Sequence, residues 1–89
     1  MKFEWDEIKR EANVRKHGLD LMTAAALFDD RPVFSYESPR ADEPRFVTVG
    51  RVSEVLVAVV WTERSAAIRL ISLRRARDGE KRKYRELFG

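Results

Sequence analysis

The chain has no cysteine and only one histidine in 89 residues. Without cysteine there is no disulfide, no zinc finger and no thiol nucleophile, and a single imidazole leaves too few ligands for a transition-metal site, so neither metal nor cofactor is expected. Long hydrophobic runs are missing as well. The longest, Val55 to Trp61, is far short of the roughly 20 residues with which a helix crosses a bilayer. Met1-Lys2-Phe3-Glu4-Trp5-Asp6 alternates polar and apolar where a signal peptide carries an apolar block, so the expected location is the cytoplasm. The sequence contains no repeat, no low-complexity tract and no dividing linker. Residues 1–89 therefore read as one small domain, which buries little more than ~60% of its unfolded surface and has little stability in reserve.

Charge is present but unevenly placed. Before residue 64 there are nine Lys or Arg against twelve Asp or Glu; from Arg64 onward there are nine against three. Arginine predominates in the basic part, which favours bidentate contact with phosphate or carboxylate and implies a polyanionic partner. For Lys81, Arg82, Lys83 and Arg85 alone, a solvated helix face explains the charge equally well.

The periodicity predicts an α+β fold. Phe3 to Trp5 alternates like a short edge strand. Asp6 is placed to cap a helix running to about Lys16, with Ile8 and Ala12 as its main apolar pair and Gly18 as its left-handed stop. Asp20 is placed to cap a second helix with a Leu21, Ala24, Ala25, Phe28 stripe, which Pro32 ends. The period then becomes alternating, and Val33 to Glu37, Arg45 to Arg51, Val55 to Thr62 and Ala67 to Leu73 read as four antiparallel strands. A polar loop from Ser38 to Pro44 and turns at Ser53-Glu54 and Glu63-Arg64-Ser65 join them. Val55 to Trp61 is apolar on both faces, which marks the central strand. Asp78 is placed to cap a last helix whose Tyr84, Leu87 and Phe88 share a face, and the helices are expected on one side of the sheet.

Several segments carry chemistry. His17 follows Lys16 at a helix C-terminus, where the helix dipole favours a cation, a placement suited both to capping and to phosphate binding. Cleaving RNA without a metal needs a base for the 2′-hydroxyl, cations for the phosphate charge of the transition state and an acid for the 5′-oxygen. His17, Glu63, Arg64, Arg74 and Tyr84 cover these roles, with Lys16 beside them. Arg74 and Arg75 are neighbours on a strand and should point to opposite faces. Trp61 and Trp5 read as core.

In this order and almost without gaps, Phe3-Glu4-Trp5-Asp6, Lys9, Asn13, Lys16-His17-Gly18, the acidic pair before Pro32, Arg45 through Gly50, Thr62-Glu63-Arg64, Ile68 to Ser72, Arg74-Arg75-Ala76 and Glu80 with Tyr84 resemble the BrnT toxins of type II toxin–antitoxin systems. The resemblance implies a RelE-like fold and a ribonuclease that blocks translation. It also implies a BrnA-type antitoxin with a ribbon-helix-helix DNA-binding segment in a complex of two toxins and two antitoxins. By the same resemblance, Glu63 is the candidate base, Arg64 and Arg74 are phosphate clamps, Tyr84 is an acid or a stacking platform, and Lys16, Arg69, Arg75 and Lys81 contact RNA beside His17. Leu73 and Arg77 depart from the family's usual alanine and small hydroxyl residue. The alternative classes are a non-catalytic nucleic-acid-binding or antitoxin-binding module and a structural partner for an acidic peptide.

Overall fold

The computed structural model describes residues 1–39 and 42–89. Its elements are β1 (Lys2–Glu4), α1 (Glu7–His17), a 3₁₀ helix (Leu21–Phe28), β2 (Val33–Ser38), β3 (Arg45–Val52), β4 (Val55–Arg64), β5 (Ala67–Arg75) and α2 (Asp78–Phe88). The strands form one sheet in the order β1-β5-β4-β3-β2. The apolar β4 is therefore central, as its two-sided hydrophobicity predicts. The sheet is mixed rather than purely antiparallel, because β1 runs parallel to β5, pairing Lys2, Phe3 and Glu4 with Ala67, Ile68 and Arg69. Alternation along a strand is the same for either direction of pairing, so it carries no sign of this. The Ser38-to-Pro44 loop falls partly outside the described residues.

Both short hairpins turn through two residues of positive φ, Ser53-Glu54 and Ser65-Ala66, the pattern that matches the twist of a two-residue hairpin. The second turn thus lies one residue beyond the Glu63-Arg64-Ser65 expected, and Glu63 and Arg64 stay in β4. On one face of the sheet, Leu21, Ala24 and Leu27 of the 3₁₀ helix pack against Val57, Val59, Ile68, Leu70 and Leu73. The sequence stripe of Leu21, Ala24, Ala25 and Phe28 predicts an α-helix here. With three residues per turn, the 3₁₀ helix instead aligns positions 21, 24 and 27, and those are the buried ones. Gly50 of β3 permits this approach: a Cβ there would stand 2.7 Å from both Leu27 Cδ2 and Val33 Cγ1.

The helices do not share one side. α2 covers the other face, where Tyr84 and Ala76 join Val47, Val49, Leu56 and Ala58. Its N-cap is Arg77, whose N–H donates to Glu80 Oε1 (2.8 Å), and Asp78 is already inside the helix. Leu87 and Phe88 remain exposed.

α1 begins and ends where its caps predict: Asp6 accepts from the N–H groups of Ile8 and Lys9, and Gly18 is left-handed at φ 68°. Its attachment differs, since Ile8 and Ala12 are exposed and its buried residue is Asn13. The Asn13 amide donates to Leu73 O (2.9 Å) and Leu19 O (2.8 Å) and accepts from Leu73 N (3.0 Å). It acts as a one-residue strand on the edge of β5 beyond the end of β1, and so fixes α1 beside that edge.

Candidate active site

Between α1 and the sheet lies a cleft of about 630 Å³. Its floor is apolar, from Val47, Val60 and Ile71; α1 contributes Lys9, Lys16 and His17, β2 Tyr36 and Ser38, β3 Arg45, and β5 Ser72 and Arg74, with Arg77 beyond. Five Lys or Arg and the histidine thus face one space, and no carboxylate is among the described residues that line it. Charges of one sign over a low-dielectric floor concentrate a field suited to a polyanion.

Arg74 reaches the cleft because β5 is irregular. Val60 pairs with Ser72 and Trp61 with Leu70, which leaves Ile71 without a partner. Ile68 and Leu70 point to the 3₁₀ helix, and unbroken alternation would send residues 72 and 74 the same way. The extra residue reverses the parity, so Leu73 takes the core position while Ser72 and Arg74 turn to the cleft.

One fork of the Arg74 guanidinium is anchored from behind. Nη1 and Nη2 donate to the two oxygens of Glu80, at 2.7 and 3.0 Å, and Nη1 also donates to Arg75 O at 3.3 Å. Glu80 is 8% exposed and also accepts from the Tyr36 hydroxyl and from Arg77 N–H. Burial alone would raise the Glu80 carboxyl, but the hydrogen bonds from Arg74, Arg77 and Tyr36 outweigh it and bring it down to about 2. The same pairing pushes the Arg74 guanidinium up, and burial followed by the bond to Glu80 pushes the Tyr36 hydroxyl up. Tyr36 therefore stays a neutral donor and Glu80 a fixed anion. Of the five N–H groups of Arg74, those on Nε and the outer side of Nη2 have no bond to any described residue; on a planar guanidinium they form the second fork, the one that matches two phosphate oxygens.

Of the residues singled out from sequence, the cleft unites Lys16, His17 and Arg74. Glu63 and Arg64 lie exposed at the end of β4. Glu63 is paired with Ile68 and is two residues from Trp61, both of which pack on the 3₁₀-helix side, so it faces away from the cleft. Arg69 pairs with Glu4 at 3.7 Å near the β1 edge. Arg75 and Lys81 line a separate groove. Tyr84 is 6% exposed beneath α2, with the Arg51 guanidinium 5.7 Å from its ring centre, and Tyr36 is the tyrosine of the cleft. Trp61 is packed against Phe28 and Phe46 and donates to Thr48 Oγ1 at 2.7 Å. Sequence reading gives Lys9, Arg45 and Arg77 no role in a site and meets Tyr36 only inside a strand, where its alternation with Phe34 and Ser38 is the one local signal that places it on a single face.

A small mixed sheet carries a cationic, imidazole-bearing cleft whose charge suits a polyanion. The family model described as "Ribonuclease toxin, BrnT, of type II toxin-antitoxin system" matches residues 5–80, and the chain belongs to that family. No curated protein matches the chain. The matched stretch contains every residue named in the cleft and ends at Glu80, the anchor of Arg74. No helix among the described residues is long and apolar enough to cross a membrane.

Proposed function

We propose that the cleft is the site at which this ribonuclease toxin cuts RNA, and that it does so without a metal. The observation that carries the reading is the convergence of five cations and the lone imidazole around one apolar floor, with no carboxylate among the described lining residues to hold a divalent ion. The free Nε/Nη2 fork of Arg74 grips the scissile phosphate, and Lys16 and Arg45 add charge as it becomes dianionic in the transition state. The 2′-oxygen attacks phosphorus, its proton passes to a base, the P–O5′ bond breaks, and the departing oxygen takes a proton. The products are a 2′,3′-cyclic phosphate and a 5′-hydroxyl. His17 is the described cleft side chain whose two ring nitrogens can accept one proton and give another. Glu63 and Arg64, at the sheet's end, take no part in these transfers. Loss of message halts translation in the cytoplasm, and a BrnA-type antitoxin, bringing a ribbon-helix-helix segment in a two-to-two complex, restrains the activity by covering the cleft.

An RNA oligonucleotide incubated with the protein in excess chelator should be cut to a 2′,3′-cyclic end, and its all-2′-deoxy counterpart should survive. Cleavage of the deoxy strand, or a requirement for a divalent ion, would overturn the mechanism. Arg74→Lys keeps the charge opposite Glu80 but removes the fork, and should lower kcat by roughly 10²-fold in a folded protein.

A further inference from the structure

A second cationic surface shares no lining residue with the cleft. Arg51 at the end of β3, Arg75 at the end of β5, and Lys81 and Arg85 on α2 line an open groove of about 270 Å³ whose one carboxylate is Glu54. A solvated helix face accounts for Lys81 and Arg85 only; it does not explain why two strand ends bring arginines to them. Arg10, Arg31, Arg45, Arg69 and Arg74 each have a carboxylate within 4 Å, whereas none of the four groove cations has one among the described residues. Arg51 instead lies over the Tyr84 ring, which orients it without neutralising its charge. Four unpaired like charges repel one another, so bringing them together favours an anion that spans them.

We infer that this groove is an exosite for the phosphodiester backbone of RNA extending beyond the cleft. The inference rests on the ribonuclease reading above. Adjacent residues connect the two surfaces, since Arg74 serves the cleft and Arg75 the groove on opposite sides of β5. A strand with one phosphate at Arg74 thus meets a second set of cations around the end of that strand. The groove is shallow and its Leu56 belongs to the core, so it lacks the apolar anchor pocket on which a tightly bound protein segment depends.

The test is the double variant Arg51→Gln/Arg85→Gln, with Lys2→Gln/Lys83→Gln as a control that removes two exposed charges elsewhere. Binding of a non-cleavable 2′-O-methyl RNA of about 20 nucleotides is measured by anisotropy from about 50 to 200 mM salt. Losing two phosphate contacts to a single strand should flatten the slope of log K against log salt by about 1.4 in the groove variant and much less in the control. With cleavable RNA of that length KM should rise several-fold at constant kcat, while a trinucleotide should be cut as by wild type. An unchanged slope would overturn the exosite, and so would an equal loss in the control. The same holds if the variant bound RNA normally but lost affinity for the antitoxin. Failure of wild type to cut either RNA would instead remove the ribonuclease reading, and the binding comparison would still decide the groove.

Discussion

Replacing Asn13 should cost this protein more than replacing any side chain on the apolar face expected of α1. Asn13 is 5% exposed, and Leu73, which it bridges through both backbone groups, is 1% exposed. β1 pairs only as far as Arg69, so in Asn13→Ala no strand is available to take up the Leu73 N–H and C=O. Each buried group left without a partner costs about 1 to 3 kcal/mol, and the better helix propensity of alanine returns roughly half a kcal/mol. The expected net loss is about 2 to 4 kcal/mol, against a total of about 4 to 13 kcal/mol for a domain of this length. At about 4 to 8 °C per kcal/mol, Tm should fall by about 8 to 32 °C. Thermal and urea unfolding followed by circular dichroism measure both. Asn13→Asp adds a sign test, because it can accept from Leu73 N–H but sets a carboxylate against the Leu73 and Leu19 carbonyl oxygens. Burial and those oxygens should raise the introduced group's folded-state pKa above its unfolded value, so its penalty is absent below the unfolded value and full above the folded one. Asn13→Asp should therefore regain stability relative to wild type as pH falls from 7 toward 4. A loss below about 0.5 kcal/mol in Asn13→Ala, or no pH dependence in the Asp variant, would refute the claim that this amide holds α1 to β5.

Gly50→Ala should destabilise by about 1 to 2 kcal/mol in urea unfolding, since its Cβ would meet Leu27, which is 1% exposed and has nowhere to move; a variant as stable as wild type would show that the 3₁₀ helix can back away. Glu80 has its folded-state pKa depressed from 4.5 to about 2, so its contribution of about 3 kcal/mol is fully present above the unfolded value and is lost as pH falls from there through the folded one. The stability difference between wild type and Glu80→Gln should therefore shrink by about 2 kcal/mol between pH 6 and pH 3, and a difference that stayed constant would mean that the carboxylate charge is not what holds the network.

Much of the framework was visible in the sequence because it is set by local rules. Asp6 and Gly18 bound α1 as side-chain and left-handed caps do, the alternation of Val33 to Leu73 delivers β2 to β5, and the two-sided hydrophobicity of Val55 to Trp61 puts β4 in the middle. What was not visible depends on partners distant in sequence. Nothing within α1 distinguishes Asn13 from an ordinary exposed polar residue; its role comes from the backbone of Leu73, sixty residues away. Glu80 and Tyr84, one helical turn apart, read as a pair, but the chain sends Glu80 to Arg74 and Tyr36 and buries Tyr84 against Val49 and Ala58. The tyrosine that faces the cleft therefore comes from β2, an element that sequence reading left without a functional role.

The same separation of local from distant decides which arginine serves the cleft. Ile68-Arg69-Leu70-Ile71-Ser72-Leu73-Arg74-Arg75 has apolar residues at 68, 70, 71 and 73, so the alternation fails once, at Leu70-Ile71. That failure is the trace of the bulge, and it reverses which face each later side chain occupies. Counted from Ile68 without it, Arg74 would point into the apolar core and Arg75 into the cleft. Counted through it, Leu73 fills the core, Arg74 meets Glu80 with one fork while the other stays open, and Arg75 is left for the groove beside Lys81. A break of one residue in an apolar pattern thus assigns two adjacent guanidinium groups to two different surfaces. It also explains why Arg74→Lys should act on turnover at the cleft, while the groove should act on how much of a longer RNA the protein holds.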